Sequence, residues 1–271
     1  MIAKLKKAFN YLFNRIVIFR MDIKAAKNIR KKLEALVSKD ESILNTYGFI
    51  QGTDKASVGS VGGGVTFSGR LFLAHDYLRH YDFLFQSFRK NKFNLIEFGC
   101  AGGSSLRTWK EYFPEAEIYG VDLDENAKKL EEERIHILIG NATAKETFNE
   151  FKNKIGSAFI ILDDASHAWG DQRRSFELFW DLVEPGGFYV IEDLVCGTLG
   201  AYPDYPPEVL DSQPFFEYMQ DRSKILRWCS DWQPEENSYH FDHLPEQIQK
   251  IEREIDMCVF IPGAVIVRKK A

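Results

Sequence analysis

Short apolar runs alternate with stretches of helical periodicity from Asn94 onward. Helices that alternate with strands carry the chain back across a sheet, so that the strands run parallel. The pattern therefore predicts an α/β fold with a Rossmann-like, doubly wound sheet. The strands are predicted at residues 95–98, 118–121, 135–139, 159–162 and 188–191, and the helices at 105–112, 125–133, 147–154 and 172–183.

Acidic residues follow two of these predicted strands. Asp164 follows the strand at 159–162, and Glu192 and Asp193 follow the strand at 188–191. Neighbouring parallel strands lie about 4.8 Å apart and end at the same edge of the sheet, where ligands of α/β proteins bind. Crowded carboxylates repel one another unless a cation or a raised pKa relieves the charge. Because hard oxygen ligands favour magnesium, calcium or manganese, the sequence predicts a divalent-metal site at this edge.

A glycine-rich turn follows the first predicted strand. Gly99, Gly102 and Gly103 allow the backbone to approach a ligand closely, and Asp122 after the second strand can accept both hydroxyls of a ribose. Nicotinamide dinucleotides and S-adenosylmethionine both need such a site. A G-x-G-x-x-G frame starting at Gly99 is absent, whereas Glu97 two residues earlier is typical of the adenosylmethionine turn.

The last predicted element is a hairpin. Residues 257–260 and 264–268 flank the turn Pro262-Gly263. A closing antiparallel hairpin suits a methyltransferase sheet better than a dehydrogenase sheet. The hairpin therefore favours adenosylmethionine over a nicotinamide dinucleotide.

The net charge of −5 conceals an asymmetry along the chain. Residues 1–32 hold ten Lys or Arg against Asp22 alone, a net charge of +9 that leaves −14 for the remainder. Apolar residues recur there at three- and four-residue steps, which predicts a basic amphipathic helix. Such a helix packs on its own protein or another subunit, or lies on an anionic membrane surface. The acidic remainder disfavours nucleic acid as a partner, because it repels phosphates.

Three regions follow from these patterns. Residues 1–46 form the helical extension, residues 47–90 a loop and a helix, and residues 91–271 the α/β domain. The glycine-rich stretch at 51–69 is predicted to be a mobile lid beside the active site. The four cysteines show no paired spacing, so a reducing cytoplasm fits the chain best.

Four segments of the chain form a recognisable set: Gly52-Thr53-Asp54-Lys55, Tyr119-Gly120-Val121-Asp122, Asp163-Asp164-Ala165-Ser166-His167 and Pro185-Gly186-Gly187-Phe188-Tyr189-Val190-Ile191-Glu192-Asp193. Through them the sequence resembles the metal-dependent sugar O-methyltransferases of macrolide biosynthesis, the mycinamicin and tylosin type within the class I adenosylmethionine-dependent superfamily. It departs from their pattern at Ala165, where a glycine is common, and over residues 196–250, which match poorly.

The resemblance implies methyl transfer from S-adenosylmethionine to a sugar hydroxyl of a glycan or a glycosylated metabolite, with Mg²⁺ as the metal. It implies that Asp164, Glu192 and Asp193 hold Mg²⁺, and that His167 is the general base working beside Asp164. The residues that it places around S-adenosylmethionine are Glu97, Gly99, Ala101, Gly102, Ser104, Ser105, Asp122, Leu123, Asn141 and Asp163.

Two other function classes stay open at this stage. Paired acidic strand ends and magnesium serve a catechol-like phenol as well as a sugar. Relatives with the Asp-Asp-x-Ser-His pattern also include proteins named as hydroxylases, although an iron oxygenase needs two histidines and one carboxylate. The expected partners are a small-molecule or glycan acceptor and a second copy of the chain, with the inner membrane face as the alternative for the basic helix.

Overall fold

The computed structural model describes residues 42–56, 58–59, 72–73, 75–194 and 246–271. The basic helix predicted within residues 1–32, most of the glycine-rich lid and residues 195–245 lie outside these described residues. The chain divides into two compact units. The first comprises Met1–Lys92, Ala101–Ile118 and Leu130–Ile135, and the second comprises Phe93–Cys100, Tyr119–Lys129 and His136–Ala271.

The first unit contains three α-helices in its described part. They are α1 (Ile43–Gln51), α2 (Leu78–Phe85), which a 3₁₀ turn at Gln86–Phe88 extends, and α3 (Ser104–Tyr112). Two short strands, β1 (Val58–Gly59) and β2 (Phe72–Leu73), pair antiparallel.

Asp82 on α2 joins all three helices. Its Oδ2 accepts hydrogen bonds from the Ser42 hydroxyl at 2.8 Å and from the Ile43 N–H at 2.7 Å, at the start of α1. Its Oδ1 accepts from the hydroxyl of Tyr112 at the end of α3. Burial and this hydrogen bond raise the pKa of Tyr112, so the phenol stays protonated and donates. The carboxylate also offsets the positive end of the α1 dipole.

Aromatic rings fill the interior of the first unit. Tyr81 packs on Phe85 with ring centroids 5.8 Å apart and on Trp109 at 6.3 Å, and Tyr112 meets Phe113 edge-on at 4.7 Å. All five rings are fully buried. Such pairs add about 0.5–1.5 kcal/mol each beyond the burial of their area. These aromatic side chains therefore form the core of the first unit.

The second unit is built on a sheet of seven described strands: β3 (Asn94–Phe98), β4 (Glu117–Asp122), β5 (Ile135–Ile139), β6 (Ala158–Asp163), β7 (Val183–Ile191), β8 (Ile255–Ile261) and β9 (Ala264–Lys269). Their order in the sheet is β5-β4-β3-β6-β7-β9-β8. Three α-helices belong to this unit in the described residues: α4 (Lys145–Lys154), α5 (Trp169–Phe179) and α6 (Glu246–Glu254).

The strand order confirms the doubly wound sheet with a terminal hairpin. β6 pairs in parallel with both β3 and β7, whereas β9 pairs antiparallel with β7 and β8. The chain runs outward from β3 to β5 and then returns to place β6 beside β3. The point where this winding reverses, between β3 and β6, is where open α/β sheets bind ligands.

The core of this unit packs α5 against the sheet. The rings of Phe98 and Phe179 lie 4.7 Å apart, and those of Phe176 and Tyr189 lie 5.0 Å apart. Val265 and Val267 of the terminal hairpin belong to the same buried cluster. The hairpin therefore contributes to the core and does not merely close the edge of the sheet.

Some predicted boundaries were wrong. Where a helix was predicted at 125–133, a 3₁₀ helix ends at Leu130, because Glu132 and Ile135 exchange backbone hydrogen bonds around Arg134, whose φ is 61°. Where a helix was predicted at 172–183, α5 starts earlier, at Trp169, and Val183 already belongs to β7.

Two further differences lie in the first unit. The helix predicted to end at residue 46 continues to Gln51, and Ser42, which is extended, caps α1 at its start before Ile43. The sequence predicts a helix over residues 72–81, but the helix starts only at Leu78. Within the described residues, no helix is both long and apolar enough to cross a membrane.

Candidate active site

Three potential metal ligands converge beyond the carboxyl ends of β6 and β7. Asp164 follows β6, Asp193 follows β7, and His167 lies in the loop after Asp164. One ligand atom from each of the three lies within 4.8 Å of the others. His167 Nδ1 is 3.9 Å from Asp164 Oδ1, and His167 Nε2 is 3.7 Å from Asp193 Oδ2. The parallel strand ends thus bring the two aspartates to one edge.

Glu192 occupies a different position from its neighbour. Its side chain is buried, and its carboxylate is not part of the Asp164–His167–Asp193 group in the described chain. Its N–H donates to the carbonyl of Asp163 at 3.0 Å. The predicted ligand therefore lies next to the group, with its backbone fixed to β6.

Two members of the group have an unusual backbone. His167 has a φ of 57° and Asp193 a φ of 55°. A residue other than glycine pays of order 1 kcal/mol or more to hold this left-handed conformation, and such residues cluster at functional sites. His167 Nδ1 is buried and has no hydrogen-bond partner among the described residues. The imidazole is thus held with one nitrogen uncommitted beside two carboxylates.

Hydrogen bonds within the loop before α5 hold the backbone around His167. The Ser166 hydroxyl donates to Asp171 Oδ2 at 2.8 Å and accepts from the Ala168 N–H at 3.3 Å. Asp171 N–H in turn donates to the carbonyl of Ala168. These bonds join residues on both sides of His167 and so hold the turn that orients its ring.

Asp163 lies inside the protein. Burial raises its pKa to about 7, although a hydrogen bond that the Ser175 hydroxyl donates to its Oδ2 opposes the rise. Desolvation also raises the pKa of the neighbouring Tyr189 well above its ordinary value. Asp163, which the resemblance places around the cofactor, therefore has its carboxyl group in the core, and 3% of the residue is exposed.

The turn after β3 presses against the end of β6. Gly99 has a φ of 84°, and a Cβ there would lie 2.2 Å from the carbonyl oxygen of Asp164. The Asp164 N–H also donates to the carbonyl of Phe98 at 3.1 Å. Only glycine fits at residue 99, and the immediate reason is this contact with the strand end that carries Asp164.

Asp122 organises the neighbouring strand end. Its Oδ2 accepts from the Cys100 N–H and its Oδ1 from the Asp124 N–H, both at 2.9 Å. Each carboxylate oxygen has a second lone pair that can accept a further hydrogen bond. Glu97, one strand away, is fully buried.

The other predicted cofactor residues lie in loops and a helix start. Leu123 is 72% exposed after β4, and Asn141 after β5 accepts from the Thr143 N–H at 2.9 Å. In the first unit, Gly103 has a φ of 74° before α3. Exposed Ala101 and Gly102 precede it, and half-buried Ser104 and Ser105 begin the helix.

Sequence reasoning missed two polar contacts to the β7 strand end. Trp169 Nε1 donates to the carbonyl of Leu194, and Gln172 Nε2 donates to the carbonyl of Glu192, both at 2.8 Å. The available signal was their place in the first turn of a helix that follows the Asp-Asp-x-Ser-His segment. Side chains of that turn face the loop that they follow.

The strand order and the terminal hairpin define a class I methyltransferase fold. No protein-family model matches the chain. Among solved structures, the MycE methyltransferase of mycinamycin biosynthesis in complex with Mg, SAH and mycinamycin VI superimposes with a TM-score of 0.64 at 24% identity, covering 84% of this chain and 53% of that one. A second crystal form of MycE, with Mg and SAH, gives a TM-score of 0.63 at 23% identity over 93% of this chain and 62% of the other.

Curated relatives agree with the resemblance drawn from the sequence. The chain is 33% identical over 135 residues to mycinamicin VI 2''-O-methyltransferase of Micromonospora griseorubida, covering 47% of this chain and 34% of the relative. It is 35% identical over 127 residues to demethylmacrocin O-methyltransferase of Streptomyces fradiae, covering 44% and 32%. The matched part is thus about a third of the length of either relative.

Proposed function

We propose that this chain is an S-adenosylmethionine-dependent, Mg²⁺-dependent O-methyltransferase that acts on a sugar hydroxyl of a glycan or a glycosylated metabolite. The observation that carries the proposal is the convergence of Asp164, His167 and Asp193 at the ligand-binding edge of a methyltransferase sheet. The curated relatives, which are named as O-methyltransferases, support it.

The donor set fits a divalent cation. Ligand atoms of two carboxylates and one imidazole lie within 4.8 Å of one another, and the carboxylates supply the oxygen ligands that suit magnesium. Asp164 and Asp193 hold the metal in this proposal, with Glu192 as the predicted third carboxylate. A bound Mg²⁺ lowers the pKa of an acceptor hydroxyl and orients it.

His167 is the proposed general base. Its Nδ1 is free to take a proton, because no described residue hydrogen-bonds to it. Its Nε2 lies 3.7 Å from Asp193 Oδ2. A positioned base of this kind contributes roughly 10²–10⁴-fold to the rate.

The cofactor occupies the reversal point of the sheet in this proposal. Asp122 keeps acceptor capacity on both oxygens for the ribose hydroxyls, and the Gly99 turn brings the backbone beside Asp164. The bound cofactor supplies the methyl group. The roles of Leu123, Asn141 and Asp163, and of Ala101, Gly102, Ser104 and Ser105 in the first unit, stay predictions.

The acceptor and the location of the protein also stay predictions. One of the MycE complexes contains mycinamycin VI together with Mg and SAH, which supports a small-molecule acceptor. A cytoplasmic protein with its basic N-terminal helix on a second subunit or on the inner membrane face remains the expectation from the sequence.

Calorimetric titration of the purified chain with S-adenosylmethionine, with and without Mg²⁺, tests the proposal. We expect the parent to bind both, and Asp164→Asn to bind the cofactor but lose the Mg²⁺ heat. Asp181→Asn, an exposed aspartate paired with Lys250, is the matched control and keeps both heats.

Methyl transfer is then measured on a panel of glycosides and catechols. Transfer to glycosides supports the proposal, and transfer confined to catechols overturns its sugar assignment. A parent chain that binds no S-adenosylmethionine overturns it entirely.

A further inference from the structure

Asp193 lies in a left-handed turn whose flanking residues are bonded on every side. The Glu192 N–H donates to the carbonyl of Asp163 at 3.0 Å, and the Leu194 N–H donates to the carbonyl of Gly263 at 2.9 Å. The carbonyls of Glu192 and Leu194 accept from two side chains of α5. Four hydrogen bonds therefore hold the two residues that flank Asp193, and two of them, to the Glu192 carbonyl and from the Leu194 N–H, act on the peptide groups next to Asp193.

The two side chains come from the first turn of α5. Gln172 Nε2 reaches the carbonyl of Glu192, and Trp169 Nε1 reaches the carbonyl of Leu194, each at 2.8 Å. Both donors therefore act on the 192–194 turn from the same helix end. The same turn of α5 holds Asp171, which accepts from Ser166 beside His167.

The burial of Gln172 needs an explanation that packing alone does not give. The residue is 1% exposed, and its Oε1 has no hydrogen-bond partner among the described residues. Burying an amide with an unmet acceptor is unfavourable, so an apolar residue would suit a purely structural position better. The hydrogen bond from Nε2 to the Glu192 carbonyl is a contact that an apolar residue at this position could not make.

We propose that Gln172 and Trp169 are positioning residues for the metal centre, which hold Asp193 in its left-handed conformation so that its carboxylate faces Asp164 and His167. Without the two donors, Asp193 relaxes toward an extended backbone, which turns its side chain away from the group. The inference rests on the proposed function, because it assumes that Asp164 and Asp193 bind a metal beside His167.

Mn²⁺ binding to the full metal-free chain tests the inference. The free Mn²⁺ signal in electron paramagnetic resonance gives Kd, and the spectrum of the bound ion reports the symmetry of its ligands. Gln172→Met keeps the length of the side chain and removes the donor, and Trp169→Phe removes the indole N–H. Glu177→Gln on the same helix, whose carboxylate pairs with Arg173, is the control.

We expect each positioning variant to raise the Mn²⁺ Kd by about 10-fold or more, as loss of the partners that orient metal ligands commonly does, and to change the spectrum of the bound ion. The thermal midpoint of the metal-free protein, measured in parallel, separates this effect from a loss of stability. Glu177→Gln should leave Kd at the parent value.

The possible failures are distinguishable. If the parent binds Mn²⁺ and both positioning variants bind it equally well with an unchanged spectrum, the inference is overturned while the metal site stands. If the parent binds no Mn²⁺, the metal dependence of the proposed function fails and the inference with it. If Gln172→Met does not fold, Trp169→Phe decides alone, by the same two measurements.

Discussion

Substituting three glycines of this chain allows the cost of backbone strain to be measured apart from the cost of a steric clash. The comparison tests how tightly the turn after β3 is coupled to Asp164. At Gly102, a Cβ meets nothing within 4 Å and φ is not left-handed. At Gly156, φ is 78° but the surrounding space is open. At Gly99, φ is 84° and the Cβ would lie 2.2 Å from the carbonyl oxygen of Asp164. Alanine at the three positions therefore adds one cost at a time.

The expected magnitudes follow from these environments. Gly102→Ala should be neutral or stabilise the protein by up to about 1 kcal/mol, since it only restricts the unfolded chain. Gly156→Ala should destabilise by about 1–2 kcal/mol, the cost of a left-handed alanine. Gly99→Ala adds about 1–3 kcal/mol of overpacking to the same strain. The clash is with backbone, so relief must move the strand end that carries Asp164.

Urea unfolding followed by circular dichroism measures the free energies, and Mn²⁺ titration of the folded variants measures the site. Gly99→Ala should be the least stable of the three and should weaken Mn²⁺ binding, whereas Gly156→Ala should leave Mn²⁺ binding unchanged. Equal stabilities for Gly99→Ala and Gly156→Ala, with equal Mn²⁺ affinity, would refute the coupling between the turn and the metal centre.

Three further outcomes are expected. Asp82→Ala should lower the free energy of unfolding by about 3 kcal/mol, because the Ser42, Ile43 and Tyr112 donors lose their shared acceptor. A double-mutant cycle with Tyr112→Phe should give a coupling energy of about 1 kcal/mol or more, and additive effects would contradict the hydrogen bond. Burial raises the pKa of Tyr112 above the ordinary 10.0, so its contribution to stability is present below pH 10.0 and lost at higher pH. Above pH 10.0 the free energy of unfolding should therefore fall more for the parent than for Tyr112→Phe. Saturating Mg²⁺ at 100 times Kd should stabilise the parent by about 2.7 kcal/mol and Asp164→Asn by none, as differential scanning calorimetry would show.

The sequence predicts the sheet well because its signals are local. Apolar runs bounded by acids and glycines mark β3, β6 and β7, and the Pro262-Gly263 turn marks the terminal hairpin. The acids after β6 and β7 meet because parallel neighbours end at one edge. Pattern alone is enough for these features.

The detail of the site depends on backbone conformation that composition does not reveal. Glu192 and Asp193 are neighbours in the sequence but face different surroundings, because the chain leaves the extended conformation at Asp193. The left-handed φ of His167 and of Asp193 decides which side chains meet, and nothing in their residue types requires it. The start of α5 was missed because Ala168 caps it without a side-chain hydrogen bond.

The hydrogen bond from the Leu194 N–H to the Gly263 carbonyl affects how the site forms while the chain is being synthesised. A ribosome delivers Asp164, His167 and Asp193 well before the β8–β9 turn that holds the Leu194 N–H. Until that turn docks, the strand end after β7 has one of its restraints missing. A nascent chain arrested between residues 194 and 263 should therefore carry every ligand of the metal centre and still bind the ion weakly.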